Sequence, residues 1–373
     1  MNKILFNCTT NIKGGTVQNS ANFIISTIND DSGNEYYYLV SNAVYKIIQQ
    51  YNIHNDRLFV CHVSPSKSIL SRFKIKSHVD KINPDLIFTM AGPAYINFNQ
   101  LHFMGCSNPY ILFASAKDIF FGRNIISFLV RYIHTQYQSF YIKKADYFLF
   151  QTERTRSDFM KKINHDKGVV IPNSVGFNTE VTSYKRSRFY NSEKGTLQVL
   201  CPFERYPHKG FHIIPDLYHH LKQQGFKVHF IITIDKENDI NDSKDELFND
   251  ENIGISYIGQ QRYFDMPDLY INSDIVFMPS VLEVFSSVCT ESLYFKKPLV
   301  TSDKVFNSDI VGKYACYCDP YSIESCAASI ISASKKVNDD DYLFEASEYI
   351  VSKFGKYNNR YKAIIKIINK ILK

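Results

Sequence analysis

Two glutamates in an otherwise apolar segment have the spacing and setting of functional carboxylates. Glu283 and Glu291 lie eight positions apart within residues 275–300, and this segment contains no other acidic residue. A carboxylate among core-type residues is costly unless it accepts hydrogen bonds. Two interpretations are open. Either Glu283 favours a helix N-terminus and Glu291 reaches solvent, or both carboxylates accept hydrogen bonds from the hydroxyl groups of a polyol.

Two further features of the sequence are suited to binding a phosphate group. The backbone amides of Ser286, Ser287 and Val288 open a predicted helix, and helix N-termini bind anions through free N–H groups and the helix dipole. Lys209 comes directly before Gly210 and a second predicted helix, where its ammonium group suits a diphosphate. A solvated lysine is the alternative when Lys209 is considered alone.

Short apolar strands that alternate with helices must position these groups. In the first half, strands are predicted at residues 4–8, 36–41, 57–62, 85–89, 110–114, 146–151 and 168–171. In the second half, they are predicted at residues 197–201, 227–233, 255–258, 275–278 and 298–301. Helices are predicted at residues 19–28, 211–224, 266–271 and 287–295. This alternation favours parallel α/β sheets, in which ligands bind beyond the carboxyl ends of the strands.

The length and the break in this pattern indicate two domains. The chain has 373 residues, whereas a single core stops growing near about 250–300 residues. The alternation lapses into polar residues with no periodicity between 179 and 194. We therefore predict an α/β fold of two Rossmann-like domains facing a cleft. The first spans residues 1–178, a linker spans 179–194, and the second spans 195–354.

Composition and missing motifs exclude several functional classes. The net charge of +6 is spread along the chain and gives no support for nucleic-acid binding. No GxGxxG fingerprint and no GxxxxGK[ST] loop occurs, which disfavours a nicotinamide or flavin enzyme and a P-loop enzyme. The eight cysteines are scattered, and no signal peptide or long apolar run is present. We expect a reduced, cytoplasmic protein.

The segment with the two glutamates also carries a family resemblance. The sequence PSVLEVFSSVCTESLYFKKPLV is similar to the Glu-x7-Glu signature of the retaining glycosyltransferase family 4, also called glycosyl transferases group 1. The resemblance implies the GT-B fold. It implies that Glu283 contacts the hydroxyl groups of the donor sugar and Glu291 the ribose of the nucleotide. Phe285 and the amides of the three residues after it would line the same donor site.

Other segments resemble the same family in the same order. Residues 201–210 resemble the donor-diphosphate loop, with Lys209 on the phosphates. Many members have an arginine five residues earlier; the chain has glutamate there, and Arg205 is the candidate substitute. Gly14 and Gly15 resemble the glycine loop near the phosphates and the acceptor, and Gly259 follows the strand that receives the base. The last helix, near residues 355–373, would cross back to the first domain.

A histidine of the first domain is the remaining catalytic candidate. Many family members carry a histidine near the reacting sugar, and the corresponding region contains His102. Because His102 falls within an apparent strand, a core histidine is the alternative. The resemblance implies no bound cofactor and no metal. Asp339, Asp340 and Asp341 formally contain a DxD pattern, which we interpret as a solvated helix start.

The implied activity is transfer of a sugar with retention, from a UDP- or GDP-linked donor to a hydroxyl of a glycan or lipid-linked acceptor. This is a hexosyltransferase reaction of class EC 2.4, and bacterial surface polysaccharide or glycolipid assembly is the expected setting. Two alternatives stay open: a nucleotide-sugar epimerase of the same fold, and a non-catalytic subunit that binds a nucleotide sugar.

Basic residues in the first half suggest where the acceptor is met. Residues 118–144 combine many aromatic rings with Arg123, Arg131, Lys143 and Lys144. Residues 67–81 add five further basic side chains, and residues 353–373 contain seven basic and no acidic residues. Each stretch alone is typical of a solvated helix face. Together, the first two predict association with an anionic membrane surface, on the inner face of the membrane.

Overall fold

A computed structural model describes residues 1–28, 33–51, 53, 55–112, 114–175, 195–235, 254–355 and 359–373. Contacts between residues divide the chain into two compact units. The first unit comprises Met1–Ala114, Ile126–Asn173 and Asn358–Lys373, and the second comprises Ser115–Ile125 and Ser174–Tyr357. The predicted linker, residues 179–194, lies outside the described residues. Residues 115–125, which the sequence assigned to the first domain, pack with the second unit.

The first unit contains a parallel sheet of seven strands in the order β3-β2-β1-β4-β5-β6-β7. The strands are β1 (Lys3–Cys8), β2 (Glu35–Ser41), β3 (Leu58–Cys61), β4 (Leu86–Thr89), β5 (Leu101–Gly105), β6 (Tyr147–Phe150) and β7 (Gly168–Val170). The order reverses between β1 and β4, which pair in register with Asn7 opposite Thr89. At such a reversal the chain leaves in opposite directions, and a crevice forms at the carboxyl ends.

The second unit contains a parallel sheet of six strands in the order β10-β9-β8-β11-β12-β13. The strands are β8 (Leu197–Cys201), β9 (Val228–Ile232), β10 (Ile255–Tyr257), β11 (Ile275–Met278), β12 (Leu299–Ser302) and β13 (Cys316–Cys318). Its order reverses between β8 and β11, so the loops after these two strands start side by side. The α/β architecture with two parallel sheets, as predicted, is confirmed.

Helices connect the strands. They are α1 (Gly15–Thr27), α2 (Asn42–Gln49), α3 (Ile69–Ile82), α4 (Pro109–Leu112), α5 (Ala116–Phe120), α6 (Ile125–Ile142), α7 (Glu153–Ile163), α8 (Ile214–Gln223), α9 (Met266–Asn272), α10 (Ser287–Tyr294), α11 (Val305–Val311), α12 (Ile323–Ser334), α13 (Asp340–Phe354) and α14 (Asn359–Ile371). Several begin at a side chain that accepts a bond from the first turn, such as Ser41, Thr152 and Ser322. Helix α14 belongs to the first unit, as the resemblance implied.

Aromatic side chains fill the core of the first unit. The rings of Phe6 on β1 and Phe23 on α1 lie 4.6 Å apart, and Phe88 on β4 contacts both. Phe88 also stacks on Phe103 of β5, with the ring centroids 5.0 Å apart. All four rings are fully buried. Aromatic packing of this kind joins helix α1 to β1 and β4, and β4 to β5.

One predicted strand is wrong. Residues 110–114 were predicted as a strand, whereas Pro109–Leu112 forms the short helix α4. The side chain of Asn108 accepts a hydrogen bond from the Tyr110 amide, and its carbonyl accepts bonds from the amides of Ile111 and Leu112. Proline in the first helical turn after an asparagine cap favours a helix start. This local signal outweighs the apolar run that suggested a strand.

Candidate functional site

The loop after β8 places Lys209 and the glycine that follows it. Residues Pro207–Lys209 form a 3₁₀ turn, which ends at Gly210 in the left-handed conformation, with φ of 81°. A side chain at this glycine would be strained, and its Cβ would lie 3.1 Å from the Cγ of Pro279. Gly210 therefore allows the loop after β8 to lie directly against the loop after β11.

The loop after β11 brings Glu283 to Lys209. The amide of Val281 donates to the carbonyl of His208 at 2.9 Å, which joins the two loops through their backbones. The ammonium of Lys209 then forms an ion pair with the carboxylate of Glu283. Both side chains are largely buried, with 18% and 12% exposed. The two residues that the sequence analysis singled out are thus direct partners, although 74 positions separate them.

The N-terminus of α10 follows directly. Ser286 is its N-cap, but the cap side chain makes no hydrogen bond to the helix. The buried Ser286 hydroxyl has no nitrogen or oxygen partner among the described residues. Phe285 is buried and packs edge-on against Phe354, whereas Ser287 is exposed. With Val288 half-buried behind them, these residues form a helix start that has neither an acidic side chain nor a cap bond.

A buried polar network fixes α10 to the sheet. The Thr301 hydroxyl on β12 donates to the Met278 carbonyl at 2.8 Å, and the Ser302 hydroxyl donates to the carbonyl of Ser280. Asn307 donates to the Ser302 hydroxyl at 2.9 Å and accepts from the Cys289 thiol of α10. Burial raises the pKa of Cys289 to about 11, so the thiol stays protonated and is a structural donor. The network holds the start of α10 in one position.

Glu291 lies one further turn along α10 and differs from Glu283. Its carboxylate forms no ion pair with any residue that the structure describes, and it accepts a hydrogen bond from the Tyr270 hydroxyl at 2.7 Å. Desolvation by burial raises the Glu291 pKa to about 7, and the Tyr270 bond opposes that rise. The Tyr270 ring stacks on Phe295 with the centroids 5.3 Å apart. A further hydroxyl that donates a hydrogen bond to Glu291 would therefore stabilise its carboxylate.

Two other predicted donor residues of the second unit, Arg205 and Gly259, lie in the loops after β8 and β10. Arg205 is exposed, and its guanidinium lies 5.9 Å from the centroid of the Phe211 ring. Gly259 follows β10 in the left-handed conformation, and its amide donates to the Ile234 carbonyl. A Cβ at Gly259 would lie 2.7 Å from a carboxylate oxygen of Asp235. Glycine is therefore required there by the backbone and by a close approach.

The structure does not support His102 as a catalytic residue. It lies inside β5, is 2% exposed, and its Nε2 is hydrogen-bonded to the Thr89 hydroxyl at 2.8 Å. Asn7 donates to the same hydroxyl. Burial lowers the pKa of His102 to about 3, so the ring is neutral. This position fits the alternative interpretation as a core histidine, and the catalytic role of His102 stays a prediction.

Gly14 and Gly15 begin the first helix of the first unit. Gly14 is the N-cap of α1, with φ of 68°, and Gly15 is the first helical residue. A Cβ on Gly15 would meet no atom within 4 Å. The two glycines leave the start of α1, in the first unit, without side chains. The other predicted donor residues all belong to the second unit.

Sequence reasoning missed the partners that set the properties of these side chains. Tyr270 lies 21 positions from Glu291 and is one of 26 tyrosines, so no local signal identified it. Asp339, in contrast, caps α13 by accepting from the Tyr342 amide, which confirms the predicted helix start.

The arrangement of the second unit suits a ligand with a phosphate and several hydroxyl groups. It combines a lysine, an uncapped helix start and two carboxylates at the carboxyl ends of the adjacent strands β8 and β11. A cation and helix amides stabilise negative charge on phosphate oxygens. Carboxylates without a second cation are acceptors for hydroxyl groups.

Comparisons with known proteins agree with this description. Residues 185–348 match the family model of glycosyl transferases group 1. No curated protein sequence matches the chain. Solved structures similar to it include Anabaena Alr3699/HepE in complex with UDP and glucose, with 17% identity, 99% of this chain and 100% of that chain covered, and a TM-score of 0.66.

Two other similar structures span the whole length as well. A glycosyltransferase from Rickettsia africae is 16% identical, covers 100% of this chain and 99% of that chain, and has a TM-score of 0.71. The complex of S. aureus MnaA with UDP is 13% identical, covers 100% and 97%, and has a TM-score of 0.62. Identities this low establish the fold alone. Residues 185–348 therefore match the glycosyl transferases group 1 family, and the two units of the chain have the GT-B fold of the similar structures.

Proposed function

We propose that this protein is a retaining hexosyltransferase that moves a sugar from a UDP-linked donor to a hydroxyl acceptor. The observation that carries the proposal is the cluster of Lys209, Glu283 and the open start of α10, with Glu291 one turn further on. The family match and the UDP complexes of two structurally similar proteins support a nucleotide-sugar donor. A GDP-linked donor is the second choice.

Each group of the cluster has a defined part in this proposal. Lys209 and the amides of Ser286, Ser287 and Val288 bind the diphosphate. Glu283 accepts hydrogen bonds from the hydroxyls of the sugar, and Glu291 accepts them from the ribose. The cluster thus fixes both ends of the donor relative to the bond that breaks, and most of its catalytic effect is positioning and electrostatics.

The reaction is balanced without a side-chain base. The bond between the anomeric carbon and the diphosphate oxygen breaks, and a bond from that carbon to the acceptor oxygen forms on the same face. The acceptor proton passes to the departing phosphate oxygen. Because His102 is buried in β5, it is not assigned this proton. Lys209 and the helix amides stabilise the charge that develops on the diphosphate.

The donor must displace an existing interaction. In the structure without ligand, Lys209 is bound to Glu283. A diphosphate competes for the ammonium, and the sugar hydroxyls replace the ammonium as donors to Glu283. The exchange is more favourable when both replacements occur, because a largely buried charge left without a partner costs on the order of 3–5 kcal/mol in buried pairs.

Ligand screening and one isosteric variant test the assignment. UDP-, GDP- and ADP-hexoses are compared by thermal shift, and UDP-hexoses are expected to raise the melting temperature most. Glu283→Gln keeps the shape and removes the charge. It is expected to reduce sugar transfer by a factor of about 100 or more, the scale of a lost transition-state contact. Glu348→Gln, at an exposed position of α13, is the matched control.

Two outcomes would contradict the proposal. Unchanged turnover in the Glu283→Gln protein would remove Glu283 from the donor site. Conversion of the donor sugar to its epimer with no acceptor present would identify an epimerase instead. The anomeric configuration of the product, read from its proton coupling constant, tests retention separately.

A helix with an exposed apolar face indicates which surface of the first unit approaches the acceptor. Helix α6 buries Thr135, Gln138 and Ile142, two of which are polar. Its large apolar side chains face outward: Ile126 is 75% exposed and Ile133 is 68% exposed, with Leu129, Val130 and Phe140 also exposed. The spacing of these residues by three and four positions places them on one face. This is the reverse of the usual orientation of a helix in a soluble domain.

Helix α3 extends this apolar face. Arg72 on α3 donates to the hydroxyls of Tyr137 and Tyr141 on α6, which places the two helices together. Ile69, Leu70 and Phe73 of α3 are exposed by 65% or more. We name these three residues with Ile126, Leu129, Val130, Ile133 and Phe140 the α3–α6 surface. Lys74, Lys143 and Lys144 on the same two helices or just beyond them are exposed as well.

We propose that the α3–α6 surface docks on an anionic lipid bilayer. Exposed apolar side chains on a helix, with flanking lysines, are typical of helices that lie in the headgroup region. Within the described residues, no helix has the length and apolar character to cross a membrane. Docking would bring the first unit to a lipid-linked acceptor, as expected for surface polysaccharide or glycolipid assembly.

Co-sedimentation with liposomes tests this docking. Vesicles with phosphatidylglycerol are expected to bind the protein at low salt, and vesicles of phosphatidylcholine alone should bind it less because each lysine near an anionic surface adds about 1 kcal/mol. The variant I126S/V130S/I133S is expected to lose binding. Phe344→Ser, which removes an exposed ring of the second unit, is the control. Equal binding by both variants would contradict the assignment.

A further inference from the structure

The first unit contains a cavity that none of the donor residues lines. It lies at the carboxyl ends of β4, β5 and β6, next to the starts of α1 and α14. Its polar lining includes Thr16, Asn19, Ser107, Gln151 and Arg360. Among all the lining residues, Arg360 carries the only charge. The cavity thus has a single cation and no anion.

Arg360 is buried without a counter-ion. It is 5% exposed, and one terminal nitrogen donates to the Ile171 carbonyl at 2.7 Å. Its Nε is buried and has no hydrogen-bond partner among the described residues. No carboxylate of those residues forms an ion pair with it. Burial lowers its pKa to about 10, so the guanidinium is still charged at neutral pH. A buried cation of this kind is costly until an anion or further acceptors reach it.

The start of α1 opens toward the same cavity. Gly14 provides no side-chain cap, and the first turn contains no acidic residue. Thr16, in that first turn, and Asn19, one turn later, both line the cavity. The positive end of a helix of 13 residues and the guanidinium of Arg360 therefore act on the same volume. Two independent sources of positive potential thus act where none of the described lining residues is negatively charged.

The neutral polar groups complete the lining for an oxyanion. Gln151 donates to the Asn173 side chain at 3.0 Å, which fixes its amide group. Asn19 accepts from the Tyr361 hydroxyl, so its amide nitrogen remains a donor. Ser107 adds a hydroxyl at the end of β5. Donors, a guanidinium and a helix start are the groups that bind phosphate and carboxylate oxygens in proteins.

We propose that this cavity is a binding site for an oxyanion, the phosphate or carboxylate group of the acceptor. That the oxyanion belongs to the acceptor rests on the proposed function, whereas the binding of an oxyanion in the cavity does not. The lining residues of the cavity are different from the residues of the cluster around Lys209, so the two sets can be substituted independently.

Thermal shift with inorganic phosphate tests the site, with the donor site disabled. Lys209→Gln is the parent protein, because phosphate could also bind at Lys209. At constant ionic strength, phosphate at ten times its Kd is expected to raise the melting temperature by about 3 °C relative to chloride. Arg360→Gln in this parent is expected to abolish the shift. An equal shift with Arg360→Gln, or no shift in the parent, would overturn the proposal.

A second pair of variants leaves Arg360 in place and guards against misfolding. Thr16→Glu puts a carboxylate at the helix start, where it is favourable for folding and occupies the position of the oxyanion. Thr16→Gln has nearly the same size without the charge. The phosphate shift is expected to vanish with Thr16→Glu and to persist with Thr16→Gln. Equal shifts in the two proteins would contradict an oxyanion site at the start of α1.

Further probes identify the source of the oxyanion and separate the two proposals. Acetate tests a carboxylate, a hexose phosphate tests a soluble phosphate ester, and dihexanoyl phosphatidic acid tests a lipid phosphate. The ligand class is identified by the probe that raises the melting temperature most, provided that Arg360→Gln abolishes this rise. UDP binding is measured in the same proteins: it is expected to be lost with Lys209→Gln alone and kept with Arg360→Gln alone. Loss of UDP binding with Arg360→Gln would show that the cavity belongs to the donor site.

Discussion

Replacing Glu291 with glutamine should stabilise the protein, and only at high pH. The carboxyl has an ordinary pKa of 4.5 and a folded-state pKa of about 7, because burial penalises its charged form. Glutamine has nearly the same shape as the protonated carboxyl and still accepts the Tyr270 hydroxyl. The variant should therefore match the natural protein where Glu291 is protonated and exceed it where Glu291 is ionised.

The sign and size of the effect follow from the two pKa values. A folded-state pKa above the unfolded one means that the contribution to stability is complete below pH 4.5 and is lost as the pH rises through 7. At 1.36 kcal/mol per unit of pKa, the loss above pH 8 amounts to roughly 3 kcal/mol. Glu291→Gln should recover this amount at pH 8.5 and less than about 1 kcal/mol at pH 5.

Urea unfolding at pH 5 and pH 8.5, followed by circular dichroism, measures the difference. Glu348→Gln serves as the control, because its exposed carboxyl should give equal stability to the natural protein at both values. The reasoning would be refuted if Glu291→Gln changed the free energy of unfolding by the same amount at the two pH values. It would also be refuted if the variant were less stable at pH 8.5, since the ionised carboxylate would then be the better-solvated form.

Three other outcomes are expected. Gly210→Ala should lower the unfolding free energy by about 1–2 kcal/mol in urea denaturation, because Gly210 has a positive φ and lies against the loop after β11. Gly15→Ala should change the unfolding free energy little, because a Cβ at Gly15 would meet no atom within 4 Å. Tyr270→Phe removes a bond that lowers the Glu291 pKa, so the loss of stability with rising pH should become larger and extend to higher pH in the same urea series. The folded-state pKa of His102 is lowered to about 3, so its contribution to the free energy of unfolding is complete above pH 6.5 and is lost as the pH falls. His102→Gln should therefore reduce the sensitivity of the protein to acid and change the rate of sugar transfer by no more than a few fold. A 100-fold loss of sugar transfer would instead support a catalytic role for His102.

The alternation of apolar strands and helices was sufficient to predict the two sheets. Strands buried on both faces are short apolar runs, and residues 197–201 and 275–278 were predicted with the bounds that the structure has. The run at residues 110–114 is equally apolar, but the asparagine and proline before it start a helix. Hydrophobicity alone could not distinguish a strand from a helix at this run, and the local helix cap determined that a helix forms.

The sequence was sufficient to identify candidate residues of the site, but not the side chains with which each of them interacts. Lys209 and Glu283 were both identified, but their ion pair depends on adjacent strands bringing two distant loops together. His102 was ambiguous for the same reason: the sequence shows a histidine in a strand, and only the Thr89 hydroxyl on the next strand shows that it is satisfied in the core. Arg360 gave no signal, because an arginine at the start of a basic helix is usually solvated.

The ion pair between Lys209 and Glu283 has a consequence for the release of product. In the proposed function, a nucleoside diphosphate sugar would bind Lys209 and offer hydroxyls to Glu283, so that both charges would keep partners. After sugar transfer, the remaining nucleoside diphosphate would hold Lys209 but offer no hydrogen bond to Glu283. Recapture of the lysine by its carboxylate then favours dissociation of the spent carrier. The resting pair would thereby bias the enzyme against product inhibition, and Glu283→Gln should bind UDP more tightly than the natural protein does.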